Sequence, residues 1–447
     1  MEKLGRISWT LSGRILMGFL LLVFGLVVSE AYDTMDPYGN ITIRWDVMEW
    51  HDDRYTAVVT IYNYQLYRHI DPPGWRYEWE WPGEEVIWNM WGAEVTEQGN
   101  CSKYQAPNIP HSCEKKPVVV DFLPGVPYNQ QVKNCCKAGI LSTMTQDPTS
   151  YAASFQLDVG TSPAVNSSSD DDFVLPQNHS LGLPGYSCSP AFLVPATRFT
   201  SDGRRFTLAV KTWNVTCTYS QYLASPALKC CVSMSSFYNN TIVQCPICSC
   251  GCRGAPQTGD CVEDEHFPSL IQMPNKNDVM KPSLLCTNHM CPIRVHWHVK
   301  LSYRNYWRVK VTISNFHFVK NYSEWNLVIQ HPNLQSVNQV FSFNYRPLNQ
   351  YGSNNDTGMF WGIKYYNDML LQAGELGNVQ TEILLKKDPG LFTFNEGWAF
   401  PRRISFNGDE CVMPLPDDFP RLPNASPKQS CDELVLTSIF ILLMLLL

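Results

Sequence analysis

Carboxylates, imidazoles and thiols are the side chains that could do chemistry in this 447-residue chain, and their spacing limits what that chemistry is. Glu78 and Glu80 could be the acid pair of a glycosidase. Two positions apart on an extended strand they share one face, whereas glycoside hydrolysis needs carboxylates on opposite sides of a sugar ring. His296 and His298 have metal-ligand spacing on a strand, but Arg294 and Lys300 lie on the same face. Neighbouring cations oppose a bound dication, so the pair reads as part of an exposed polar face. The run CPICSCGC, residues 245–252, has the tight cysteine spacing of a metal site. No G-x-S-x-G, H-E-x-x-H or phosphate-cradling glycine loop occurs. Nothing positive supports catalysis, a cofactor or a resident metal.

A binding surface has more support. In GWRYEWEWPG, residues 74–83, Trp75, Tyr77, Trp79 and Trp81 alternate with Arg76, Glu78 and Glu80. On a strand this puts four rings on one face and three charges on the other. Turned inward, the rings are core, as Trp usually is. Turned outward, rings about 6.6–6.8 Å apart form a flat platform for the apolar face of an extended β-glucan. An apolar strip of that size in solution needs a partner. The alternation fits both. The expectation carried forward is that at least two of Trp45, Trp50, Trp75, Trp79 and Trp81 are exposed on one sheet face and stack on glucan.

Both chain ends carry the grammar of export. Lys3, Arg6 and Arg14 precede the apolar run Ile15–Val28, and Ser29 and Ala31 fit a cleavage site, so residues 1–31 read as a signal peptide. Near the other end, Asn424, Ala425 and Ser426 are small, Pro427–Glu433 is a polar spacer, and Leu434–Leu447 is apolar and uncharged. That order is a GPI attachment signal, with Asn424 as the attachment residue and 425–447 removed. The chain has 17 Cys; losing Cys431 with the tail leaves 16, an even set that reads as disulfides in an oxidising compartment. The same argument turns the dense group Cys230, Cys231, Cys245, Cys248, Cys250, Cys252 and Cys261 from metal ligands into disulfide candidates. Adjacent on a strand, Cys230 and Cys231 point to opposite faces and would staple different neighbours. Glycosylation sequons fall at Asn40, Asn100, Asn166, Asn178, Asn214, Asn239, Asn321 and Asn355, where glycans would mark surface.

The elements that must position these residues are strands. Thirty-one Pro and frequent turn pairs oppose long helices, and a net charge of −7 argues against nucleic acid as a partner. Ile41, Ile43, Trp45 and Val47 alternate with polar residues; 55–62 and 86–91 are further strands; 160–187 is a polar loop; 205–220 resumes strand character. IRVHWHVKL and YWRVKVTISN form a hairpin with one core face and one wet face, followed by strands near 325–331, 338–345 and 379–386 and a short helix near 365–373. The fold class is all-β: two antiparallel β-sandwich domains joined by a Cys-rich, disulfide-stapled segment. The expected boundaries are 32–229 for an N-terminal carbohydrate-binding-like sandwich, 230–270 for the Cys-rich segment, 271–412 for the C-terminal sandwich and 413–424 for a linker to the anchor.

Long stretches resemble the COBRA-like family of plant cell-wall proteins, which includes the brittle-culm members. They include YDTMDPYGNITIRWDVMEW, VDFLPGVPYNQQVKNCCKAG, CPICSCGC, HMCPIRVHWHVKLSYRNYWRVKVTISNF, GWAFPRRISFNGDEC and the hallmark CCVS at Cys230–Ser233. The resemblance covers almost the whole exported chain. It implies a GPI-anchored protein on the outer face of the plasma membrane and in the wall. It implies an N-terminal domain that contacts cellulose, and a role in microfibril assembly, wall thickening or oriented expansion. Positions for cellulose contact would be among Trp45, Trp50, Trp75, Trp79 and Trp81, with Tyr77 an added ring; Glu78 and Glu80 add charges that the usual form of this segment lacks. Two alternatives from other classes are a glycan-remodelling enzyme such as a transglycosylase, and an adhesion or signalling receptor with a protein ligand.

Overall fold

The computed structural model describes residues 33, 35–51, 54–105, 107–161, 174–200, 206–224, 230–243, 292–316, 321–348, 356–387 and 399–420. It divides into two compact units, Met1–Ser225 and Pro226–Leu447. The expected signal peptide, the GPI signal with Asn424, Asn166, Asn355 and Cys245, Cys248, Cys250, Cys252 and Cys261 lie outside the described residues. Among those described, no helix is long and apolar enough to cross a membrane.

The first unit holds β1 (Asn40–Trp50), β2 (Arg54–Asn63), β3 (Arg76–Glu80), β4 (Glu85–Trp91), β5 (Ala93–Val95), β6 (Val118–Asp121), β7 (Ala152–Thr161), β8 (Gln177–Ser180), β9 (Tyr186–Cys188), β10 (Phe192–Val194), β11 (Arg198–Thr200), β12 (Phe206–Leu208) and β13 (Lys211–Tyr219). One sheet runs β10-β13-β1-β2-β7-β4, with β9 also on β13; a second runs β5-β6-β3-β8; β11 and β12 pair alone. The polar 160–187 stretch thus contains a strand, β8, which binds the charged edge of β3 at Glu78 and Glu80. Strand alternation sets the layers. Ile41, Ile43, Trp45 and Val47 are buried on one face of β1, while Thr42 and Arg44 face the other way. Those buried side chains share one core with Trp75, Tyr77, Trp79, Ala93 and Val119 of the four-stranded sheet and its flanks.

The second unit holds β14 (Cys230–Ser236), β15 (Asn239–Val243), β16 (Ile293–Ser302), β17 (Tyr306–Asn315), β18 (Asn326–Gln330), β19 (Val337–Val340), β20 (Phe343–Pro347), β21 (Thr357–Gly362), β22 (Asn378–Lys386), β23 (Arg403–Phe406) and β24 (Asp409–Glu410). Its sheets run β15-β14-β16-β17-β22-β19 and β20-β21-β18-β23-β24. The expected helix near 365–373 is a single turn, Tyr365–Asp368, followed by a 3-10 turn. The expected hairpin is β16–β17, and its apolar face joins a core with Trp325, Phe360 and Phe400.

Three expectations change. The sheets are not all antiparallel, because β14 runs parallel to β16. A parallel pair needs a long crossover, and residues 244–292 between the two strands supply the length. The CCVS stretch is therefore not part of a separate linker: it is a strand inside the second unit's sheet, buried at every position. Nor does that unit end at 412. Met413 and Phe419 pack on its core, with Phe419 edge-on to Phe400 at 5.7 Å.

Four disulfides occur among the described residues: Cys101–Cys113, Cys135–Cys136, Cys188–Cys217 and Cys230–Cys411. The last ties β14 to the chain beside β24, where the Val232 N–H donates to the Val412 carbonyl at 2.8 Å. Adjacent cysteines do bond to each other at 135–136, in a loop and not on a strand, where Cys136 has φ 71°. Asp121 organises that loop, accepting backbone N–H bonds from Cys136, Lys137 and Gly139 at 2.8–2.9 Å. Gly139 and Gly74 then touch; a Cβ on Gly74 would lie 2.6 Å from the Gly139 Cα, so neither tolerates a side chain. That contact fixes the start of the tryptophan segment.

Candidate functional site

The tryptophan strip faces the core. Trp45, Trp75, Tyr77, Trp79 and Trp81 are all within 2% of complete burial. The expectation of two exposed rings among the five tryptophans is corrected: only Trp50 is exposed, at 44%. The structure brings the others together as one pile with Trp213. Trp45 stacks on Trp213 at 5.3 Å, meets Trp79 edge-on at 5.2 Å, and Trp79 meets Trp81 at 5.3 Å. Trp50 stands apart at the β1–β2 hairpin end, stacked on Tyr55 at 5.2 Å.

Ring burial drives this packing even though the Trp75 and Trp79 indole N–H groups are left without a partner, and a polar chain satisfies Trp45, Tyr77 and His179. The Trp45 indole N–H donates to the Tyr77 hydroxyl at 3.0 Å. That hydroxyl donates to His179 Nδ1 at 2.8 Å, and His179 Nε2 donates to the Pro176 carbonyl at 2.9 Å. This arrangement requires a neutral imidazole, and burial does push the His179 pKa down to about 4. With these polar atoms paired internally, the strip gains by burial, and the charges of Arg76, Glu78 and Glu80 take the wet face. Glu80 is held there below its usual range by hydrogen bonds from Asn178 and Lys116.

The face of the seven-stranded sheet opposite Trp45 and Trp213 carries a second set of aromatic side chains, all tyrosines. Its registers align Thr216, Thr42, Tyr62 and Ala152 in one row, Asn214, Arg44, Thr60 and Ser154 in the next, then Thr212, Asp46, Val58, Gln156 and Trp91. Tyr62 stacks on Tyr64 at 5.6 Å with planes 12° apart, and Tyr151 meets each at 5.9 Å. All three are half-buried or exposed. The Arg44 guanidinium lies over Tyr62 at 4.8 Å, bonds its hydroxyl, and pairs with Asp46 at 3.0 Å.

Backbone bonds position this strip. Asn63, between the two tyrosines, is buried, and its N–H donates to the Tyr151 carbonyl at 2.8 Å. Its side chain donates to the Arg68 carbonyl at 3.0 Å. The Tyr64 N–H donates to the Asn40 carbonyl at 2.9 Å. Partial desolvation raises the Tyr62 and Tyr64 phenol pKa values, so both stay neutral. The arrangement can stack on C–H faces while offering hydroxyl, guanidinium and amide groups at its margin. The signal in sequence was Tyr62-x-Tyr64, the same period of two that marked the tryptophans.

The sequons fall unevenly. Asn100, Asn178, Asn239 and Asn321 are exposed. Asn40 and Asn214 are half-buried and border the tyrosine strip, Asn214 lying opposite Arg44.

These observations define a disulfide-bonded, all-β protein of two units. Comparison with known proteins gives it a family. The model of the COBRA N-terminal domain matches residues 55–220, and that of the COBRA family C-terminal domain matches residues 229–420. The chain is 56% identical over 427 residues to COBRA-like protein 2 of Arabidopsis thaliana, covering 95% of each chain. It is 55% identical over 417 residues to Protein COBRA of the same plant, covering 92% of this chain and 90% of that one. COBRA-like protein 3 of Oryza sativa subsp. japonica is 57% identical over 406 residues, or 89% of this chain and 88% of its own. The chain belongs to the COBRA family.

Proposed function

We propose that this is a non-catalytic, GPI-anchored extracellular protein that holds cellulose or another β-glucan on the outer face of the seven-stranded sheet. Holding chains there modulates microfibril assembly, wall thickening or oriented expansion. Each unit is read as a β-sandwich, the first carrying the glycan site. The carrying observation is the Tyr62, Tyr64 and Tyr151 strip under Arg44, a preformed aromatic surface outside the core. Extended glucans present axial C–H groups that stack on π-faces and equatorial hydroxyls that take hydrogen bonds. Membership of the COBRA family supports the cell-wall setting. Trp50 is the remaining tryptophan from the expected set with an accessible ring.

The test is a pull-down of the secreted protein on washed crystalline cellulose. The Tyr62→Ala, Tyr64→Ala and Tyr151→Ala variants should bind more weakly and melt as wild type does. A triple variant that folds and binds normally would place the glucan elsewhere. Anchoring is tested by release with phosphatidylinositol-specific phospholipase C, and retention of Leu434–Leu447 in the mature protein would overturn it. Turnover of labelled oligoglucans would overturn the non-catalytic assignment.

A further inference from the structure

The second unit carries a cationic surface that the glucan reading does not use. On the outer face of β16, Arg294, His296, His298 and Lys300 follow one another along the strand. The next strand brings Lys310 directly opposite His298, and β22 places Glu382 opposite Lys310. Lys300 and Arg308 both bind Glu382, at 2.5 and 2.6 Å, and hold its carboxyl below the usual range. Lys310 therefore faces a carboxylate already bound by two other cations. Arg294, its guanidinium over the Phe316 ring at 4.9 Å, makes no ion pair among the described residues, so cations outnumber carboxylates on this face of a chain whose net charge is −7.

The imidazoles between these cations are wired to β14. Ser233 Oγ lies 2.7 Å from His296 Nδ1, and Ser235 Oγ lies 2.8 Å from His296 Nε2 and 2.7 Å from His298 Nδ1. Two proton orders satisfy all three contacts, one running from Ser233 to His298 and the other its reverse, and either keeps both imidazoles neutral. His298 Nε2 is left over beside Lys310, a donor in the first order and an acceptor in the second. Burial, His298, Arg294 and Lys310 push the His296 pKa down to about 4, so the relay is neutral at ordinary pH.

We propose that this face binds an anionic polysaccharide, specifically a chain of uronate sugars, with carboxylates at Lys310 and Arg294 and sugar hydroxyls at the half-buried His298 between them, which the buried serines of β14 hold in place. Charge complementarity selects a polyanion. The cations lie on the interior strands β16 and β17, so an acidic peptide added as a strand at either edge of the sheet, β15 or β19, would not lie along them. The half-buried Thr312, His296 and His298 between the cations suit hydroxyl-bearing rings better than the smooth phosphate plane of a bilayer. The site shares no residue with the tyrosine strip and stands or falls independently of it.

The test uses the secreted two-unit protein and polygalacturonate of defined length in affinity electrophoresis. Wild type should be retarded, and retardation should fade as salt rises, because exposed charges are screened. Arg294→Gln with Lys310→Gln should weaken binding about tenfold or more while cellulose binding is unchanged. Lys116→Gln, an exposed cation of the first unit paired with Glu80, should have no effect. If the double variant is not secreted, Lys310→Gln alone and the wild-type salt titration carry the test. Salt-insensitive binding, or an unaltered double variant, overturns the proposal. So does Arg294- and Lys310-dependent binding to phosphatidylserine vesicles with none to polygalacturonate.

Discussion

Arg44 and Trp45 are consecutive residues of β1, yet they belong to two aromatic clusters with opposite fates. Trp45 enters a pile of indoles and closes its own N–H through Tyr77 and His179, while the buried Trp75 and Trp79 N–H groups find no partner. Arg44 lies over Tyr62 in a strip whose hydroxyls and guanidinium reach the surface. The inner cluster takes Trp45 and Trp213 from the seven-stranded sheet and Tyr77 and Trp79 from the four-stranded one, whereas the outer strip lies on the opposite face of the seven-stranded sheet; both obey the period of two. What separates them is where their polar groups find partners. In the inner cluster the Trp45–Tyr77–His179 chain and the ring area buried offset two unpaired indole N–H groups, on Trp75 and Trp79; rings whose polar atoms are left at the margin keep a surface for something else.

Breaking the inner cluster should have the largest effect. Trp79→Ala removes a fully buried indole, and urea unfolding should show about 3–5 kcal/mol less stability. A smaller loss with no change in secretion would mean the pile is not the core it looks to be. Acid should come next. His179 titrates at about 4 when folded against 6.5 when free, so the unfolded state takes up protons first. Stability is full above 6.5, falls as pH drops, and the fall from this group is complete near 4, about 3 kcal/mol in all. A His179→Gln variant, which keeps an acceptor for Tyr77, should show a shallower decline; an identical profile would assign the acid loss to other groups.

Tyr77→Phe is subtler. It keeps the ring but strands the Trp45 N–H and His179 Nδ1, for about 1–3 kcal/mol of stability. The smallest effect sharpens the comparison from the other side. Tyr62→Ala should leave the melting temperature nearly unchanged and weaken cellulose binding by about 0.5–1.5 kcal/mol, measured by depletion isotherms. If Tyr62→Ala unfolds the protein, the outer strip is core too, and the contrast between the two faces fails.

Much of the layering was legible before any coordinates. Alternation placed Ile41 to Val47 and Ile293 to Leu301 on strands with one apolar face, and both are there except Leu301, which a register shift after Val299 leaves exposed. Alternation could not say which side of β3 met solvent, because Arg76, Glu78 and Glu80 suit a wet face whether the rings opposite bind glucan or fill a core. The decisive partners, His179 and Trp213, lie more than a hundred residues away in sequence. Tyr64 was hidden for a related reason. It follows the last residue of β2, and its neighbour Tyr151 is brought in by one backbone bond to Asn63. Nor could local pattern reveal that Cys230 pairs with Cys411, or that β14 runs parallel to β16.

The Cys230–Cys411 bond also decides how the molecule carries tension. A pull between the first unit and the chain end beyond Phe419 enters the second unit at its two ends. The covalent bridge joins those ends across a sequence separation of 181 residues. Load therefore passes from residue 411 to residue 230 through sulfur, and the sheets between them are mechanically bypassed. They are spared stretching for as long as that bond is intact. Among the described residues of this unit, the short stretch after Cys411, with Phe419 seated on Phe400, lies in series with the force and can yield. Reduction would put the whole of the second unit under load.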